Sequence, residues 1–294
     1  GLASVVRKAD PLYLTLCLLL GPVMVSASTG KWRIILHREG ARLPFSLLFR
    51  SYLVGYFFSN FLPSNVGGDV ARSYRAGRVA GDQALVAASV VVERVTGLLG
   101  LLSLVIGMPW LRKELAHHPA LAVPSAIAAG GLLLLVVASL IRWSLEVFPV
   151  TGWCARLQRA LLRFAARSGQ ALSTLKRDPA YALRVAGWTV LFYALALLNV
   201  WLAFRAFGAA PSLRDLATVL PTAMFVATMP VALGSLGLAE GAYVFYFGLV
   251  GMDPSVTLVM GLLLRVKILL LGAAGGVLYW AGGERMAGPA KEDT

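Results

Sequence analysis

"LPSNVGGDVARSYRAGR", residues 62–78, decides how this chain is read. It closes the apolar run 45–62, breaks it with Pro63, Gly67 and Gly68, and then presents Asp69, Arg72, Arg75 and Arg78. In a soluble protein this would be an ordinary helix break, but the chain around it is not that of a soluble protein. Of its residues 58% are hydrophobic and 14% charged, and the mean hydropathy is +0.75, far from a soluble average. Apolar blocks at 12–28, 84–111, 121–141, 185–207 and 254–281 have about the length, roughly 20 residues, that a helix needs to cross a bilayer. Two shorter blocks, 45–62 and 216–231, each run into a Pro and Gly cluster.

The net charge of +13 would fit nucleic acid, but the Lys and Arg fall between the apolar blocks. Positive-inside topology and anionic headgroups account for them, so nucleic acid is not an expected partner. The basic segments 31–42 and 142–184 are assigned to the cytoplasm. The blocks 84–111 and 121–141 then go out and return, so residues 45–80 begin and end on the cytoplasmic side as a re-entrant hairpin. Continuing the count, 185–207 runs outward and 216–250, broken at "MPVALGSLG", becomes a second hairpin opening from outside. The expected fold is all-α: a polytopic integral membrane protein with two re-entrant broken-helix hairpins in an inverted repeat, a transporter pattern. Residues 1–141 form the first repeat, 142–184 interfacial amphipathic helices, and 185–294 the second repeat. Asp69 precedes Arg94 by the same 25 residues as Glu240 precedes Arg265, whereas aligning Pro63 with Pro230 gives a shift four residues smaller. The chain begins at Gly1, which fits a cleaved signal peptide or a trimmed helix equally.

Glu93 and Arg94 lie inside "ASVVVERVTGLLGLLSLVIG", and Arg265 and Lys267 inside "LVMGLLLRVKILLLGAAGG". A charge at the centre of a spanning helix costs roughly 2.5–3.5 kcal/mol on insertion scales, so each needs a partner or water. Adjacent helical positions point about 100° apart, so Glu93 and Arg94 must look elsewhere. The hairpins supply Asp69, Arg72 and Glu240, and the spacing suggests the pairs Asp69–Arg94 and Glu240–Arg265. Two roles stay open: ion pairs that only fasten hairpins to helices, or pairs that also line a substrate path. In "SNVGGD", Asn65 or Asp69 would cap a helix; a buried helix start with Arg72 and Arg75 close behind would equally attract phosphate. The Arg row at 156, 159, 163 and 167 reads as an interfacial helix on anionic lipid. His37, His117 and His118 lack metal-ligand company, and no GxxxxGK[ST] stretch is present, so neither metal nor other cofactor is expected. "GAAGG", 272–276, is read as a close helix contact.

"NFLPSNVGGDVARSYRAGR", "ASVVVERVTGL" and "MPVALGSLGLAEGAYVFY", in that order, resemble the signatures of the lysylphosphatidylglycerol synthase transmembrane-region family, which includes the flippase half of the multiple peptide resistance factor. The resemblance spans nearly the whole chain. It departs at Ser235, where relatives often carry a second glycine after Gly234. No loop here could house the aminoacyl-transferase domain of the two-part relatives, so a stand-alone member without lysyl transfer, and not an enzyme, is expected. The resemblance implies lipid translocation in a cell inner membrane, for an aminoacylated or other anionic phospholipid first and a polyprenyl-phosphate-linked sugar second. Substrate-binding candidates are Asn65, Gly67, Gly68, Asp69, Arg72, Glu93, Arg94, Gly234, Ser235, Gly237, Glu240, Arg265 and Lys267. Membrane lipids are the expected partners, with a homodimer and a separate lipid-modifying enzyme as further candidates. The rival readings are an integral-membrane enzyme acting on lipid phosphate, with Asp69 or Glu93 as base or metal ligand, and a scaffold for a separate transferase.

Overall fold

The computed structural model describes residues 2–7, 9–61, 65–140, 173–175, 177–228 and 237–283. The elements are α1 (Leu2–Arg7), α2 (Pro11–Arg38), α3 (Phe45–Phe61), α4 (Asn65–Ala80), α5 (Gln83–Gly107), a 3₁₀ turn (Met108–Leu111), α6 (Lys113–Ala116), α7 (Pro119–Leu140), α8 (Pro179–Ala206), α9 (Leu213–Thr228), α10 (Leu238–Gly248) and α11 (Pro254–Gly283). No strand occurs among the described residues. Helices α2, α5 with its 3₁₀ turn, α8 and α11 are long and apolar enough to cross a membrane. At ~1.5 Å per residue each exceeds the ~30 Å hydrocarbon core. Large apolar side chains such as Leu12, Leu98, Leu183, Val190, Val277 and Trp280 stand exposed on these elements, as lipid-facing surfaces do. The molecule is a polytopic all-α membrane protein.

The helix starts are written in the sequence. Asp10 accepts from Leu12 N (2.9 Å) and precedes Pro11; Asp178 accepts from Tyr181 N (3.0 Å) and precedes Pro179. Proline lacks the N–H that a first helical residue leaves unbonded, and the carboxylate satisfies a later one. The same D-P-x-Y device therefore opens α2 at residues 10–13 and α8 at 178–181, a shift of 168. Asp82 caps α5 through Leu85 N (2.9 Å), right after Gly81, whose φ of 73° ends α4 in the left-handed conformation glycine tolerates.

Helices α2 and α8 lie antiparallel. Asp10 N donates to Ala206 O (2.8 Å) at one end, the Cys17 thiol to Asn199 Oδ1 (3.4 Å) nearer the middle, and Arg38 pairs with Asp178 (2.9 Å) at the other. The two larger apolar cores lie around this seam, and each takes in residues from both halves of the chain. Trp32, Leu36, Leu48, Leu85 and Val86 join α2 to α3 and α5. Phe204, Leu216, Val219, Phe247 and Met260 join α8 to α9, α10 and α11. Helices α3 and α4 fold back on each other with Gly55 against Gly68, where a side chain on either glycine would meet backbone. Helix α11 packs on α3 through "GAAGG": a Cβ on Gly275 would overlap the Leu53 carbonyl, one on Gly272 the Asn60 amide, and one on Gly276 the Phe57 ring. The close contact expected of that run is present.

Two sequence boundaries need correction. Residues 31–38, read as a cytoplasmic loop, continue α2, and Lys31 is buried; its stem and the neighbouring Trp32 pack inward, so the helix outlasts its apolar run. Helix α8 begins at Pro179 rather than 185, because the Asp178 cap, not hydropathy, sets its start. The Arg row at 156–167 and the second hairpin's break at 229–236 lie outside the described residues.

Candidate functional site

On α4, Asp69 and Arg72 stand one turn apart and face α5, where Glu93 and Arg94 are neighbours. Both pairs named from the spacing are formed. Arg94 donates from Nε to Asp69 Oδ2 (2.8 Å) and from Nη2 to Oδ1 (2.9 Å), a bidentate fork. Glu93, pointing the other way as adjacent helical positions must, accepts from Arg72 Nη1 (2.7 Å) and from the Tyr52 hydroxyl. Arg72 Nε also donates to Asp69 Oδ1 (2.9 Å), so one guanidinium joins both carboxylates. Its plane sits 4.3 Å from the Tyr52 ring centroid and 4.8 Å from that of Trp32, cation–π contacts that help hold a charge away from water. The Arg72 side chain is 2% exposed and that of Arg94 is 60% exposed.

The second cluster is simpler. Arg265 Nε donates to Glu240 Oε1 (2.5 Å) and Nη2 to Oε2 (3.1 Å). The same carboxylate accepts from Gly237 N (3.1 Å), fixing it over the start of α10, and Gly237 at φ 93° takes a conformation suited to glycine. Lys267 points away: its Nζ donates to Asn199 Oδ1 (2.7 Å) in the α2–α8 seam, and Lys31 Nζ donates to the Glu93 carbonyl (3.2 Å).

Asp69, Arg72, Glu93 and Arg94 are thus brought together, Glu240 and Arg265 form a second group, and Lys267 belongs to neither. Asp69 is not a cap, since it lies a turn inside α4 with its carboxylate committed to two arginines. Gly68 does not offer an open phosphate cradle: its Cβ position is taken by Ser59 Oγ and the Gly55 carbonyl, so its role is close packing. Asn65 opens α4 and Gly67 is half-buried in its first turn; Gly234 and Ser235 lie outside the described residues. The sequence reading missed Lys31, Trp32, Tyr52 and Asn199. A Lys and Trp directly after Gly30 at the end of an apolar run was the available signal for the first two.

Beside the first cluster, α5, α8 and α9 enclose a cavity of about 660 Å³, lined mainly by apolar side chains with Thr96, Ser103, Thr189 and Tyr193 among them. Thr96 lies two residues beyond Arg94, and the lining continues along α5 to Met108, roughly 18 Å at the helical rise.

Residues 1–276 match the family model described as lysylphosphatidylglycerol synthase TM region. The chain belongs to this family. Two relatives are each called "UPF0104 membrane protein", both from Methanothermobacter thermautotrophicus. One is 25% identical over an alignment covering 85% of this chain and 79% of the relative; the other is 22% identical over 95% and 88%. No solved structure matches. Within this family framework, the three quoted signatures contribute α4 with its charged face, the Glu93–Arg94 step on α5, and the Glu240-bearing start of α10.

Proposed function

We propose that this member of the family is a lipid translocase of a cell inner membrane, moving an anionic or aminoacylated phospholipid between leaflets. The observation that carries this reading is the repeated Asp69–Arg94 and Glu240–Arg265 pairing, each a carboxylate from a hairpin region held by an arginine fork on a membrane helix, with Arg94 largely exposed. An ion pair that only fastens elements gains nothing from an exposed guanidinium. An exposed one beside an apolar cavity is arranged to exchange its carboxylate for a lipid phosphate, while the acyl chains stay in apolar surroundings.

In this reading the two hairpins are re-entrant from opposite faces, and Arg94 and Arg265 replace headgroup hydration as the phosphate crosses; bringing an unpaired charge into hydrocarbon is otherwise prohibitive. Asp69 and Glu240 take the arginines back when the lipid leaves, or meet the amine of an aminoacylated headgroup. Arg72 is the structural member of the set, since rings and carboxylates already enclose it. Polyprenyl-phosphate-linked sugars are the second substrate class, sharing the phosphate. The reading assigns no chemical step to Asp69 or Glu93.

The test is leaflet exchange of labelled anionic, aminoacylated and zwitterionic phospholipids in proteoliposomes, with the native protein beside Asp69→Asn and Arg265→Ala. Headgroup-dependent exchange that both variants lose supports translocation. Absence of exchange of any phospholipid or polyprenyl phosphate by folded protein overturns it; a lipid chemically altered by the native protein and not by Asp69→Asn would move the assignment to an enzyme.

A further inference from the structure

The two ends of the α2–α8 seam are built from the same device and finished differently. At one end Tyr13 of the first D-P-x-Y segment meets Arg205 of α8: the guanidinium lies 5.3 Å from the Tyr13 ring centroid and 5.6 Å from that of Trp201, and Nη2 donates to the Tyr13 hydroxyl (3.3 Å). The hydroxyl is satisfied within the protein. At the other end Tyr181 of the second segment meets Arg38 of α2, 5.8 Å from the ring centroid, but Arg38 turns to Asp178 (2.9 Å) instead. The Tyr181 side chain is buried, the residue only 5% exposed, and its hydroxyl has no hydrogen-bond partner. Burying a hydroxyl without a partner costs on the order of 1–3 kcal/mol by mutational data, so such a group calls for an explanation, of which a bound ligand is one.

A cavity of about 320 Å³ lies there, lined by Ile34, His37, Arg38, Asp178, Tyr181 and Arg184 together with Ala180. Arg38 is balanced by Asp178, the Glu39 carboxylate also acts on Tyr181 from the end of α2, and Arg184 is exposed at the rim, where the corresponding position at the other end is Leu16. The first turn of α8, a helix of 28 residues, brings the positive end of its dipole to the same place. Leu183, 74% exposed beside Arg184, presents apolar surface at the same rim. A hollow between membrane helices with the exposed Arg184 at its rim, next to a lipid-facing leucine, suits a phosphate carried on an acyl-chain anchor.

We propose that this pocket is a binding site for the phosphate of an anionic phospholipid, separate from the Asp69–Arg94 cluster. Arg184 takes the phosphate oxygens, the Tyr181 hydroxyl donates to one of them, and the acyl chains lie along α8 past Leu183. Because the pocket is formed by both α2 and α8, an occupant there ties the two halves together at this end, as Arg205 and Tyr13 do at the other. The site stands whether or not the protein is a translocase.

The test measures thermal unfolding of the detergent-purified full chain against rising short-chain phosphatidylglycerol, short-chain phosphatidylcholine or inorganic phosphate. Phosphatidylglycerol should raise the midpoint of the native protein and phosphatidylcholine should not. The apparent affinity should fall about tenfold in the double variant Arg184→Ala, Tyr181→Phe and stay unchanged in Arg205→Ala. Melting without lipid verifies folding, and Tyr181→Phe alone, which keeps the packed ring, replaces the double variant should that not fold. Equal stabilisation of native and variant protein, equal effects of the two lipids, or no stabilisation overturns the site. Inorganic phosphate matching phosphatidylglycerol at equal concentration overturns the lipid as its source. Loss of lipid exchange with this stabilisation intact would count against translocation alone.

Discussion

The two hairpin clusters use the same pair at the same spacing, yet they differ in what surrounds it. Around Asp69–Arg94 the chain adds Arg72, Glu93, Tyr52 and Trp32, so one buried guanidinium locks two carboxylates and the exposed Arg94 hangs from a fixed anchor. Around Glu240–Arg265 the carboxylate is held by a backbone N–H at the start of α10. A matching difference lies in the helices behind. Under the shift of 171 that places Asp69 on Glu240, Gly272, Gly275 and Gly276 of α11 correspond to Leu101, Leu104 and Val105 of α5. The glycines let α3 seat directly on α11, whereas Leu104 and the face of α9 enclose the apolar cavity. The charges come twice at the same spacing, but the residue sizes behind them give one side a close contact and the other a space.

That contrast can be broken at several points. The largest effect belongs to Arg72→Ala, which takes the charged partner from Glu93 and leaves Asp69 to Arg94: a loss of roughly 3–5 kcal/mol is expected in thermal or denaturant unfolding. Arg265→Ala should cost clearly less stability in the same measurement; equal losses would mean the clusters do not divide anchoring from exposure. Gly275→Ala pushes a methyl at the Leu53 carbonyl and should destabilise by roughly 1–3 kcal/mol, with Leu53 backbone exchange in hydrogen–deuterium measurements rising alongside. Arg94→Ala should change stability by less than about 1 kcal/mol, because the side chain is mostly exposed, yet slow lipid exchange by about tenfold or more. The smallest effect sharpens the seam comparison: Asp10→Ala and Asp178→Ala should each cost about 1 kcal/mol through cap loss, with Asp178 slightly more sensitive to salt because it also pairs with Arg38.

Much of the first cluster was legible in advance, and for a definite reason. Charges such as Glu93 and Arg94 inside apolar runs must be neutralised, helical geometry turns them to different partners, and the hairpins carry opposite signs at Asp69, Arg72 and Glu240. The equal spacing of Asp69 to Arg94 and of Glu240 to Arg265 then named the pairs. The capping chemistry at Asp10 and Asp178 was equally present in the sequence, but hydropathy alone does not register it, because the residues that open these helices are polar.

The sequence by itself determined that this is an all-α membrane chain with apolar helices of spanning length, that its hairpin carboxylates answer its helix arginines, and that glycines at 272–276 bring helices close. These follow from local composition and from the cost of an unpaired charge in a medium of low dielectric. Only the tertiary structure decided that Arg72 is enclosed while Arg94 is open, that Lys31 and Lys267 turn away from the carboxylates to a carbonyl and an amide, and that Tyr181 is left with a free hydroxyl where Tyr13 is satisfied. Each of these depends on which helix stands opposite and how near, and that distance is set by side chains far apart in the chain, which no local pattern records.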